Sequence, residues 1–135
     1  MNGEYKEGLP FGQGELIVSK NSHRIQFYFP GPDLRYNGTF LKISSSEIDS
    51  YIDAYQENWK KFEEMKVVQK QLDGELNAYG KLNMIINVGG WHSGVCIHSY
   101  HMPLKSEKEI KSIIDSLCWA QKRGPEIKSF LKSLD

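Results

Sequence analysis

Asn87-Val-Gly-Gly-Trp-His-Ser-Gly-Val-Cys-Ile-His-Ser-Tyr-His101 is the stretch on which the fold turns. It carries a glycine turn at Gly89-Gly90, one of the two cysteines and three of the four histidines. Before the turn, residues 81–88 alternate, with Leu82, Met84, Ile86 and Val88 on one side. After it, residues 94–101 alternate again. Val95 and Ile97 share one side, and Cys96, His98 and Tyr100 share the other. A period of two on each arm predicts a β-hairpin with a loop of about five residues.

Towards the C-terminus the period changes. Ser106 to Glu109 has the form of a capping box, in which a hydroxyl and a carboxylate satisfy the first amides of a helix. Ile110, Ile113, Ile114 and Leu117 then form an apolar stripe. Arg123-Gly124-Pro125 predicts the end of that helix, with glycine as its cap. Pro125 suits the first turn of a last helix, whose buried side is expected at Ile127, Phe130, Leu131 and Leu134.

Towards the N-terminus lies the longest helical pattern. Ser44-Ser-Ser-Glu47 is another capping box. Ile48, Tyr51, Ile52, Tyr55, Trp59 and Phe62 recur at spacings of three and four. The helix is expected to end near Gln71, leaving residues 72–80 irregular or as a final turn. Before it, residues 15–19, 23–29 and 39–43 alternate as strands, and Asn21-Ser22 suits the first turn. Pro30-Gly31-Pro32-Asp33 breaks the second strand and Asn37-Gly38 makes a further turn. Residues 1–14 hold four glycines and Pro10 without any period, and are expected to be a flexible arm.

The reading is therefore α+β, a single domain over residues 15–135 in the order βββαββαα. It predicts one antiparallel sheet of about five strands, covered on one face by helices. The other face would be solvated and would present Arg24, Gln26, Tyr28, Lys42, Asn83, Asn87, Cys96, His98 and Tyr100, with Trp91 at the turn.

Composition limits the function. Seventeen basic residues balance seventeen acidic ones, so no basic footprint for nucleic acid shows in the total. No apolar run approaches the roughly 20 residues that span a bilayer. No basic and apolar leader opens the chain, and no Cys-x-x-Cys pair occurs, which together lead us to expect a cytoplasmic protein without metal or other cofactor. His92, Cys96, His98 and His101 are residue types that bind zinc or activate a thiol. Cys96 and His98 point to one side of a strand, His101 points to the other, and no carboxylate lies in the stretch. Gly12-Gln-Gly14 and Gly89-Gly90 lack the lysine of a phosphate loop, and the second joins two strands rather than opening a helix.

One resemblance bears on function. A strand ending in Leu41-Lys42-Ile43, followed on one helix by Ile48-Asp49-Ser50-Tyr51 and Trp59, resembles small cytoplasmic immunity proteins of bacterial contact-dependent growth inhibition and related polymorphic toxin systems. The likeness covers roughly residues 27–100, with an additional Tyr55 and no counterpart for the C-terminal helices. It implies a non-enzymatic protein that binds a cognate toxin domain, such as a nuclease, and blocks its active site. No catalytic residue carries over, because the family shares none. The expected contacts are the aromatic and imidazole groups Tyr28, Trp91, His98 and Tyr100, with the acidic set Glu47, Asp49, Asp53 and Glu57 facing a basic partner. The alternatives are a small metal-binding or Cys/His-dependent enzyme centred on Cys96 and His98, or a structural adaptor.

Overall fold

The computed structural model describes residues 3–28, 39–96 and 103–134. The expected break at Pro30–Asp33, the turn at Asn37-Gly38 and the hairpin residues from Ile97 to His101 lie outside these described residues. The fold is α+β with antiparallel sheets, as expected, but the strands form two sheets rather than one. The chain divides into two compact units, Met1–Asp49 with Asp115–Asp135, and Ser50–Ile114. A period of two identifies a strand and its buried side, but says nothing of which other strand it pairs with.

The first unit holds a four-stranded sheet. Its strands are β1 (Tyr5–Gly8), β2 (Gly14–Val18), β3 (His23–Tyr28) and β4 (Thr39–Ser44), paired in that order. Strand β1 lies within the expected flexible arm, and its backbone pairs with β2 from Tyr5 opposite Val18 to Gly8 opposite Glu15. The register sets Leu16 opposite Ile25 and Ile25 opposite Ile43, so Leu16, Val18, Ile25, Phe27, Leu41 and Ile43 form one buried apolar face. The reverse face carries Arg24, Gln26, Tyr28 and Lys42, as the alternation predicts. It is only partly solvated, because Ile17 and Gln26 on it are buried.

The helices are α1 (Ile48–Gln69) and α2 (Glu107–Ser133). Helix α2 is one helix where two were expected, and it continues past Pro125. The reason is visible in its buried positions. Ile110, Ile113, Leu117, Ala120, Gly124, Ile127 and Leu131 recur at alternating steps of three and four, an unbroken stripe on both sides of the proline. Packing that stripe outweighs the one backbone hydrogen bond that proline forfeits. Gly124 is a packing site rather than a cap. A Cβ there would lie 2.5 Å from Cδ2 of His23, so only glycine lets the helix approach the imidazole. Arg123 fixes the same contact from its own side, donating to both carboxylate oxygens of Glu7 at 2.8 and 3.0 Å. Phe130 and Leu134, expected on the buried side, are exposed.

The second unit sets a three-stranded sheet with α1. Its strands are β5 (Leu76–Tyr79), β6 (Ile85–Val88) and β7 (Gly94–Cys96), in that order. Strand β5 occupies residues expected to be irregular. Its short alternation, Leu76 and Ala78 against Asn77 and Tyr79, is the pattern of an edge strand. Ala54, Tyr55, Trp59 and Phe62 of α1, Ile86, Val88 and Val95 of the sheet, and Met84 just before β6 supply the buried side chains. Each such large apolar group contributes roughly 1.5–3 kcal/mol. Burial also drives the Tyr55 phenol far above its usual range, with smaller contributions from Tyr51 and Cys96.

Candidate functional site

The second unit's sheet has two unlike faces. The register places Ile86 opposite Ala78 and Val95, which face the core. Asn87 lies opposite Asn77, while Ile85 lies opposite Tyr79 and Cys96, and these make the outer face. Loop residues 89–93 join β6 to β7, matching the expected length of the hairpin loop. Gly89 takes φ +84°, a left-handed conformation that glycine adopts at little cost.

Gly90 is needed for a different reason. A Cβ there would lie 1.8 Å from Oε2 of Glu75 and 2.9 Å from the side-chain amide of Asn87. The glycine therefore lets the turn fold down onto a polar cluster. Within it Asn87 Nδ2 donates to Glu75 Oε2 at 2.9 Å and to Asn77 Oδ1 at 2.6 Å. Both donor hydrogens of Asn87 are thereby used, yet its Oδ1 is buried without a hydrogen-bond partner. Asn87 is only 7% exposed. An acceptor left in that state costs about 1–3 kcal/mol.

Above the cluster stands Trp91, 89% exposed. His92 follows it, its ring edge-on to the indole at 6.5 Å between centroids. Glu75, Asn77, Ile85, Asn87, Trp91, His92 and Cys96 together line a shallow depression of about 300 Å³. A second depression of about 250 Å³ shares Asn77 and Ile85 and adds Tyr79, which is 76% exposed. The outer face thus runs from one large exposed aromatic to another over a polar centre.

The expected contact residues separate. Trp91 belongs to this face. Tyr28 belongs to the other unit's sheet, half-buried, its phenol pushed up first by burial and then by the Glu15 carboxylate. The residues from Arg24 to Cys96 that were expected on one sheet face stand on two sheets. His98 and Tyr100 lie outside the described residues. Of the four acidic residues, only Asp53 has a basic partner among the described residues. Glu47 Oε1 accepts from the Ser44 hydroxyl at 2.7 Å and its amide at 3.3 Å, Asp49 accepts from Gln121, and Asp53 pairs with Lys81 at 2.7 Å. Glu57 is exposed.

Cys96 is 5% exposed and forms no disulfide with Cys118. Among the described residues, no group of three His, Cys, Asp or Glu side chains is placed to hold a metal ion, and no helix is long and apolar enough to cross a membrane. Sequence reasoning missed Glu75 and Tyr79 altogether, and missed that Asn77 and Asn87 pair. The short alternation across residues 76–79 is the only signal that could have found them. No protein-family model, curated protein or solved structure matches the chain.

Proposed function

We propose that the chain is a protein-binding module that neutralises a cognate toxin domain by covering its active site. We assign the contact to the outer face of β5–β6–β7. The observation that carries this reading is the exposure of Trp91 on a short glycine-shaped turn. Leaving an indole in water forfeits the burial energy of its large apolar area, and exposed tryptophans are the residues most often recovered as anchors of protein interfaces. Tyr79 supplies a second anchor, and the polar centre between them supplies hydrogen-bonding specificity. The assignment of a toxin as the partner rests on the resemblance over residues 27–100.

The test is growth protection. Cells expressing the protein encoded directly upstream are expected to stop growing, and co-expression of this chain to restore growth. Trp91→Ala is expected to weaken binding by about 2 kcal/mol, roughly thirtyfold, and to remove protection at matched expression. Absence of protection by the native chain would reject the toxin reading. Full protection by Trp91→Ala together with Tyr79→Ala would reject this face.

A further inference from the structure

We propose that the chain forms a two-fold dimer through the outer edge of β1, the partner being the same strand of a second copy. All the residues involved belong to the first unit, so the dimer stands or falls apart from the toxin reading. Strand β1 ends the sheet order β1-β2-β3-β4, and among the described residues no strand lies on its other side. The Leu9 amide donates to the Gly14 carbonyl at 3.1 Å, and in the same register Glu7 lies opposite Leu16 and Tyr5 opposite Val18. These alternate residues bond to β2, which turns the N–H and C=O groups of Glu4, Lys6 and Gly8 to the open edge. The side chains of Tyr5 and Glu7 share the α2 face, where Arg123 holds Glu7. Beside the edge, Tyr5 and the end of α2 border a groove of about 580 Å³, with Ile127 and Leu131 buried in its floor and Phe130 and Leu134 exposed. An unpaired strand edge next to an exposed apolar floor is a site for one more strand.

Charge complementarity selects the second copy and its register. A two-fold axis pairs β1 with β1 antiparallel and keeps both α2 helices on one face. Only residues whose bonding groups face the edge can bond across it. Of the registers this allows, one sets Glu4 against Glu4, one Lys6 against Lys6 and one Glu7 against Glu7, each a like-charge contact. Another sets Lys6 against Pro10, which has no N–H to donate. The remaining register centres on Tyr5. Glu4 of each copy then faces Lys6 of the other, and the two Tyr5 rings meet as a close, non-hydrogen-bonded pair. Gly3 falls opposite Glu7, and the open space around Gly3 leaves the Glu7–Arg123 ion pair undisturbed. Lys6 guards the edge against other strands and gains a partner in this register alone. Tyr5 of the second copy covers the groove at Phe130, and two four-stranded sheets become one of eight strands.

The test is sedimentation velocity of the full chain. A reversible species of twice the 15.5 kDa chain mass is expected to grow in between about 1 µM and 1 mM. Lys6→Glu and Glu4→Lys, both at exposed positions, should leave the circular dichroism spectrum in place. Each should weaken association by about tenfold, since two opposite-charge pairs become like-charge pairs. Mixing the two variants in equal amounts should restore association, because the two lysines of one copy then face the two glutamates of the other. A native chain that stays monomeric at about 1 mM rejects the dimer and leaves the edge to a strand of another protein. Association unchanged in both single variants overturns this edge as the contact. A mixture that associates no better than its separate components overturns the register.

Discussion

Two asparagines of the second unit are nearly buried, and the protein treats them in opposite ways. Asn58, on α1, is 2% exposed. Its Nδ2 donates to the Lys81 carbonyl at 3.0 Å, and its Oδ1 accepts from the Lys81 amide at 2.8 Å. The side chain acts as a peptide group, pinning the turn between β5 and β6 to the helix. Asn87, on β6, spends both donors on side chains at the surface and leaves its carbonyl without a donor. Buried polar groups are nearly always satisfied, so an unsatisfied one calls for an explanation that structure alone does not supply. The difference separates an amide whose donor and acceptor are both satisfied within the fold from one whose acceptor is left unpaired.

The comparison predicts unequal costs. Asn58→Ala removes both bonds, leaving the Lys81 amide to be satisfied by water or not at all and the Lys81 carbonyl with only the Met84 amide. The expected loss is about 2–4 kcal/mol in chemical denaturation. Asn87→Leu removes an acceptor that has no partner and frees Glu75 and Asn77, which are exposed and can hydrogen-bond to water. Its expected cost is about 1 kcal/mol or less. Equal costs at the two positions would show that Asn87 is as structural as Asn58.

A third buried polar group, in the first unit, sharpens the contrast through pH. His23 lies against Gly124 with its Nδ1 buried and unpartnered. Burial first, and then the positive charge of Lys128, hold its imidazole below the usual histidine range. A lowered pKa means that the unfolded chain takes up this proton before the folded one does. Stability from this residue is therefore complete above the unfolded value near 6.5, and it is lost as pH falls below that value towards the lower folded one. The expected outcome is a falling denaturation midpoint between about pH 7 and 5 that flattens in His23→Gln. An unchanged slope in the variant would assign the dependence to other groups.

What could be read in advance follows the same division. The long helix was legible because Ile48, Tyr55, Trp59 and Phe62 repeat at its own period. The hairpin around Gly89-Gly90 was legible because both arms alternate. The single helix α2 was not, since Gly124-Pro125 is a local stop signal and only the His23 ring packed against the glycine reveals its other use. The polar cluster was not legible either. Glu75, Asn77 and Asn87 look like ordinary surface residues until the β5–β6 register sets Asn77 opposite Asn87.

The turn that Asn58 holds yields the smallest effect and the opposite sign. Leu82 and Asn83 between β5 and β6 both have left-handed backbones, with φ 55° and 56°. The Met84 amide donates to the Lys81 carbonyl at 3.2 Å, closing a four-residue turn. Two consecutive positive φ values make this a type I′ hairpin turn, whose twist matches that of its strands. Asparagine suits that backbone, but leucine has no local hydrogen bond to offset the clash of its Cβ, about 1–2 kcal/mol. Leu82 is also exposed, so its side chain returns little by packing. Leu82→Gly relieves the clash at the expense of about 0.5–1 kcal/mol of chain entropy, for an expected net gain of roughly 0.5 kcal/mol. That corresponds to a rise of about 1–3 °C in Tm for a domain of this size. In an Asn58→Ala background the same substitution should gain less, because the clamp that enforces the strained turn is gone. An equal gain in both backgrounds would mean that the strands alone hold Leu82 left-handed, and that Asn58 fixes the position of the turn without fixing its shape.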